Sequence, residues 1–215
     1  VGDQTLTDKA DRQIHVGVLI PGGADFGLVV ELTRTAERGL LDFVLCEDFT
    51  ALAALASVTG RIGLVAAVDA AHDIPFEVAR RLATLDHLSE GRAGWTADGS
   101  DEFVAVVMKF WDTWAPGAVV ADRVSGRYVD PDRIRAFDHC GPRFTVRGVA
   151  TLPARPQGHP VLVQGFSQST ASDDRFVLSA HELASFVDSV LPELQRQGRF
   201  RTEYTGRTLR EHLGL

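Results

Sequence analysis

PFEVARRLATLDHLSEGRAGW, residues Pro75 to Trp95, reads as a helix followed by a strand, and the apolar run Ile62 to Val68 before it reads as another strand. The helix has a start and a stop. Asp73 is placed to cap it, Pro75 suits its first turn, and Gly91 stands just past its end, where a positive φ is often needed. Val78, Leu82, Leu85 and Leu88 recur at helical spacing and predict one buried face. Strand, helix and strand in this order make a βαβ unit, which requires parallel strands and a right-handed crossover.

The same alternation extends in both directions. His15 to Ile20 is a short apolar strand closed by Pro21-Gly22-Gly23, and a helix over 28–38 follows, with Leu28, Leu32 and Thr35 on one side. Asp42 to Cys46 reads as the second strand and 52–58 as an alanine-rich helix. Arg92 to Trp95 is the fourth strand. A strongly amphipathic helix spans 101–114, with Phe103, Val106, Val107, Phe110 and Trp111 facing inward. Between Ala115 and Pro160 the pattern gives way to Gly, Pro and charge, with 143–147 alternating like an exposed strand, so this stretch reads as an extended arm. Strands return at 161–164 and 175–178, a helix spans 182–197, and 198–215 reads as a tail suited to docking on a partner. The class is α/β with a parallel sheet of about six strands. Periodicity alone leaves an open doubly wound sheet and a (β/α)8 barrel as alternatives.

Bulk properties bound the function. A chain of 215 residues with 45% hydrophobic content can bury a full core, and 1–215 reads as one domain. The net charge of −7 argues against general affinity for nucleic acid or an anionic membrane surface. No apolar stretch approaches the about 20 residues of a membrane span, and no basic-then-apolar leader is present. Cys46 and Cys140 stand far apart without ligand spacing and read as free thiols, so a reducing, cytoplasmic setting is the expectation.

The quoted stretch also resembles the bacterial luciferase-like flavin monooxygenases, in the branch that holds the nitrilotriacetate and dibenzothiophene-sulfone monooxygenases. The carriers are Ala79-Arg80-Arg81, Leu85-Asp86-His87-Leu88-Ser89, Gly91-Arg92 and Gly94-Trp95. Thr35 to Gly39 with Asp42-Phe43-Val44, Asp101-Glu102-Phe103 with Trp111-Asp112, and Phe144 to Gly148 with Arg155 to Val161 continue it. The resemblance implies an incomplete (β/α)8 barrel in which the chain passes from strand five to strand eight between Ser167 and Arg175. It also implies short loops at 47–52 and 96–100. Reduced FMN from a separate flavin reductase, oxygen and a small organic substrate are the implied reactants, and a homodimer or heterodimer is expected because two missing βα units bare apolar flanks.

In such barrels the cofactor lies at the C-terminal ends of the strands. The matching positions here are Asp48 after strand two; Asp69, Ala70 and His72 after strand three; Thr96 after strand four; and Gln164 and Ser167 after strand five. Asp69 and His72 are the catalytic candidates, and Asp48, Ala70, Thr96, Gln164 and Ser167 are the flavin-binding candidates. Several family hydroxyls are replaced, and Phe166 stands where a glycine would let backbone approach a phosphate. A second reading follows from those losses: a family member that binds or partners without oxidising. Other constellations read plainly. Arg80-Arg81 suits salt bridges, His87 suits packing, His139-Cys140 lacks a second ligand pair, and the run 165–169 lacks the final glycine of a nucleophile elbow.

Overall fold

The computed structural model describes residues 13–97, 101–153, 155–166 and 174–215. Its first half alternates β1 (His15–Leu19), α1 (Phe26–Arg38), β2 (Phe43–Cys46), α2 (Phe49–Ala56), β3 (Gly63–Val68), α3 (Pro75–Leu88), β4 (Ala93–Ala97) and α4 (Asp101–Asp112). An arm follows with β5 (Val119–Asp122), β6 (Arg127–Val129), β7 (Phe137–Cys140) and β8 (Thr145–Gly148). Then come β9 (Val161–Leu162), β10 (Arg175–Ser179), α5 (Ala180–Ser185), α6 (Leu191–Arg196) and α7 (Leu209–His212).

Six strands form one parallel sheet in the order β10-β1-β2-β3-β4-β9. Its two edges, β9 and β10, are not joined to each other among the described residues, so the barrel is incomplete. Which face carries the helices decides between the two architectures. Val16, Val18, Val44, Leu64, Ala66, Trp95 and Phe176 pack in one cluster with the buried residues of α1 to α5. The opposite face contributes Phe43, Val65, Val161, Val163 and Val177 to a second cluster, closed by Leu209 and Leu213 from the C-terminal end. A doubly wound sheet would carry helices on both faces. Here the second face is the inside of a curved sheet, filled by its own side chains.

Local chemistry sets the elements. Gly91 takes φ +91 beyond α3, as its position required, and Glu90 before it is also left-handed at φ +56. Asp73, expected to cap α3, does not: the N-cap is Ile74 without a side-chain bond, and the Asp73 carboxylate accepts instead from the Asp69 N–H at 3.0 Å. On the predicted α3 face Val78, Leu82 and Leu85 are buried, but Leu88, the last residue of the helix, is 54% exposed because it points away from the face centred on Val78, Leu82 and Asp86. His87 is exposed as well. Its neighbour Asp86 is the buried member of the motif, held by Gln157 and the Ala93 N–H. In α1 the buried side is Val29, Thr33 and Ala36, one position on from the expected stripe, with Leu28 45% exposed. Between α5 and α6 the helix widens into a π turn over Phe186–Val190, just before Pro192, which has no N–H for the ladder.

Two larger segments also differ from the sequence expectation. The 115–160 arm is not featureless: β5 pairs with β6 and β7 with β8, both antiparallel. Phe137 of β7 packs edge-on against Phe110 of α4, and Phe144 against Phe103, so the second hairpin is fixed to α4. The 198–215 segment is likewise no free tail. Arg201, Leu209 and His212 are buried, Tyr204 donates its hydroxyl to the Leu41 carbonyl at 2.7 Å, and Leu209 enters the barrel from below.

Candidate functional site

The C-terminal ends of the parallel strands converge on one mouth. Its floor is apolar: Leu19, Leu45 and Phe166 join the inner cluster, and the Phe166 ring meets Phe43 edge-on at 5.0 Å. The sequence placed Phe166 near a phosphate, whereas the side chain turns inward and fills the barrel. Gly165 before it has φ +73 and open space around it, so backbone remains approachable there.

Around this floor stand the candidate residues. Thr96, paired in register with Ala67, is half-buried at the end of β4. Gln164 is exposed two residues beyond β9. Ser167 lies outside the described residues. Ala70 is buried, and its carbonyl accepts from Arg143 Nη2 at 3.1 Å. Asp48 is engaged locally: its carboxylate caps α2 by accepting from Thr50 N at 2.7 Å and Ala51 N at 3.2 Å.

Asp69 and His72 are brought together. His72 Nδ1 meets Asp69 Oδ2 at 2.7 Å, and Asp69 Oδ1 accepts from the Ala71 N–H at 2.8 Å. The His72 hydrogen bond, then the Ala71 N–H, hold the Asp69 carboxyl below its ordinary pKa. The dyad is open to solvent, with the imidazole 85% exposed. With Nδ1–H donated to the carboxylate, Nε2 is the ring atom left to exchange a proton.

Sequence reading missed Arg143. It sits at the tip of the β7–β8 hairpin, far along the chain from the strands, and nothing in its own neighbourhood signals the mouth. The signal lay in Glu102, an acidic residue at the start of α4, whose carboxylate accepts from His139 Nε2 at 3.0 Å, Arg143 N at 3.0 Å and Phe144 N at 3.1 Å. His139, the half-considered metal ligand, is thus a structural pin, with Lys109 Nζ 3.0 Å from its other nitrogen. Among the described residues no group of three or more His, Cys, Asp or Glu side chains is placed to hold a metal.

Residues 14–97 match the family model described as luciferase-like monooxygenase. The chain belongs to this bacterial luciferase-like family. It is 36% identical over 197 residues to nitrilotriacetate monooxygenase component A of Aminobacter aminovorans, covering 66% of this chain and 44% of that protein. It is 34% identical over 145 residues to dibenzothiophene-sulfone monooxygenase of Rhodococcus erythropolis, covering 56% and 32%. The luciferase-like chain therefore spans less than half the length of these relatives. In fold it resembles the crystal structure of long-chain alkane monooxygenase, with a TM-score of 0.82 at 16% identity over 94% of this chain and 96% of that one.

The family's reduced FMN is tested by the donor set. Partly buried apolar side chains, Leu19, Leu45 and Phe166, under a polar rim suit an isoalloxazine ring. The Thr96 hydroxyl, the Gln164 amide and the open backbone at Gly165 would be its rim donors. The phosphate is served less evenly, because Glu47, Asp48, Asp69 and Asp73 bring carboxylates to the strand ends.

Proposed function

We propose that this chain is the oxygenating part of a two-component monooxygenase that uses reduced FMN and oxygen on a small organic substrate. The family match joined to an apolar-floored mouth at the strand ends carries this reading. Bound FMN would supply the electrons that activate oxygen. The chain's own part is to hold the ring on the Leu19–Leu45–Phe166 floor, bond its edge through Thr96, Gln164 and Ser167, and exclude water. Asp69 and His72 would relay a proton at His72 Nε2. Ala70 and Asp48 shape the rim, Ala70 through its backbone and Asp48 by fixing the first turn of α2.

A separate flavin reductase is the proposed electron donor, and a dimer the proposed assembly. Phe26, Leu28, Val120, Val124 and Tyr128 are large exposed apolar side chains that an interface would cover. No described helix is long and apolar enough to cross a membrane. The whole of 1–215 is read as one unit, at work in the cytoplasm.

Titration with FMN and with photoreduced FMN, followed by flavin fluorescence and absorbance, tests the reading. Micromolar or tighter binding, and flavin-dependent oxygen uptake with a reductase present, support it. Failure to bind either redox form would leave a family scaffold that no longer oxidises.

A further inference from the structure

Arg143 comes to the end of β3 from outside the barrel, and its backbone is fixed before its side chain is. The turn Gly141-Pro142-Arg143-Phe144 closes with Gly141 N donating to Phe144 O at 2.9 Å. The Glu102 carboxylate holds that turn by accepting from the Arg143 and Phe144 N–H groups. A Cβ on Gly141 would collide with this carboxylate, so a larger residue there would push the brace away. From the turn the guanidinium lies over the Phe144 ring at 5.3 Å, and Nη2 donates to Ala70 O at 3.1 Å. The acids of the neighbouring loop are already engaged. Asp69 accepts from the Ala71 N–H and holds His72 Nδ1, and Asp73 accepts from the Asp69 N–H. Among the described residues no carboxylate pairs with the Arg143 guanidinium, so an exposed, braced cation keeps donors to spare.

We propose that Arg143 sets substrate specificity at this mouth by binding the carboxylate of a small organic acid, with Glu102 as its positioning residue. The inference rests on the monooxygenase reading above and narrows its substrate class. The flavin leaves this cation free. On that reading its phosphate goes to the open backbone at Gly165, beyond β9, and β4 stands between β9 and β3. Two strand spacings, about 10 Å, therefore separate the phosphate from the Ala70 end of β3. A guanidinium suits a carboxylate because its parallel N–H groups meet both oxygens. The other charges give orientation: Glu47, Asp48, Asp69 and Asp73 repel an acid group everywhere on the rim except at Arg143. Ala70 belongs to the same loop as His72, so an acid seated there lies on the segment to which the monooxygenase reading gives the proton relay.

Calorimetric titration of the full chain at saturating FMN tests this with paired probes, glutarate against dimethyl glutarate and phenylacetate against methyl phenylacetate. At least one acid is expected to bind about tenfold or more tighter than its ester, a preference that shrinks as salt is raised. Arg143→Ala should remove that preference and leave both ester binding and FMN affinity unchanged. Arg143→Lys should keep part of it. Glu102→Gln should lower the acid-to-ester ratio without changing ester affinity, a shift that a purely structural role in the hairpin would not give. Acid preference in neither pair, or the same preference in wild type and Arg143→Ala, overturns the inference and, with FMN bound, leaves the monooxygenase reading standing. A wild-type chain that binds FMN in neither redox form overturns both. Arg143 is exposed, so its variants should fold, and unchanged circular dichroism and melting temperature confirm that.

Discussion

The Arg201 guanidinium sits on the carboxylate of Asp42, a buried ion pair that joins the C-terminal segment to the entry of β2. The same carboxylate accepts from the Val16 N–H at 2.7 Å and meets His15 Nδ1 at 3.0 Å. Asp42 therefore ties β1, β2 and the last fifteen residues at the N-terminal end of the barrel, opposite the mouth. Removing one partner of such a pair leaves a buried charge uncompensated, which typically costs about 3–5 kcal/mol. Asp42→Ala should lose stability on that scale in urea melts, and Arg201→Met should lose less than Asp42→Ala. Flavin affinity per folded molecule should not change, because the mouth is at the other end.

Leu209 gives a second, steric prediction. Its two methyl groups enter the barrel through positions without side chains: a Cβ on Gly63 would lie 2.6 Å from Leu209 Cδ1, and one on Gly94 2.6 Å from Leu209 Cδ2. Gly94→Ala should overpack the lower end of the barrel and cost about 1–3 kcal/mol. Leu209→Ala alone should also destabilise, by about 2–5 kcal/mol, through loss of a fully buried side chain. Combined, the two should cost less than their sum in a double-mutant cycle, because the added methyl fills space the leucine vacates.

How far the sequence reached can be judged from such residues. The helix–strand alternation and the identity of the six sheet strands were legible because apolar runs and helical spacing are local signals. Curvature was not legible from them. It depends on the helices lying on one face, and on small residues such as Gly63 and Gly94 that admit a side chain remote in sequence. The docking of 198–215 was hidden for the same reason: Arg201 and Asp42 are paired by topology, with no spacing to announce them. At the mouth, the Asp69–His72 dyad was readable as near neighbours, whereas Arg143 arrives through an arm whose strands are short and exposed. Capping failed at Asp73 because the carboxylate had a competing local N–H, that of Asp69.

His212 makes the C-terminal clasp sensitive to acid. Burial first, and then the neighbouring Arg201 charge, hold its pKa below the ordinary histidine value, while the Gly206 carbonyl and the Asp42 and Glu211 charges act in the other direction. The Tyr204 ring lies over it at 4.7 Å. A folded-state pKa below the unfolded one means that the unfolded chain takes up the proton first. The stabilisation is complete above the ordinary histidine value of about 6.5 and is lost as pH falls through the lower folded value. Urea midpoints measured from pH 8 to pH 5 should therefore decline below about pH 6.5, and His212→Asn should flatten that decline. An unaltered slope in the variant would assign the acid sensitivity to another group.

The Asp69–His72 dyad separates chemistry from stability. Both side chains are more than half exposed and belong to a turn whose backbone is held independently, with Asp73 N donating to Asp69 O at 2.8 Å. An exposed pair of this kind is screened by water and contributes little to folding. His72→Ala should therefore leave the melting temperature nearly unchanged. If His72 Nε2 relays a proton during turnover, the variant should lower kcat by about 100-fold while leaving FMN affinity intact. Asp69→Asn should keep the turn but weaken the hold on the Nδ1–H tautomer, giving a smaller loss in kcat than His72→Ala. Equal oxygen uptake by wild type and His72→Ala at saturating flavin would remove the dyad from the reaction and leave it as a loop brace.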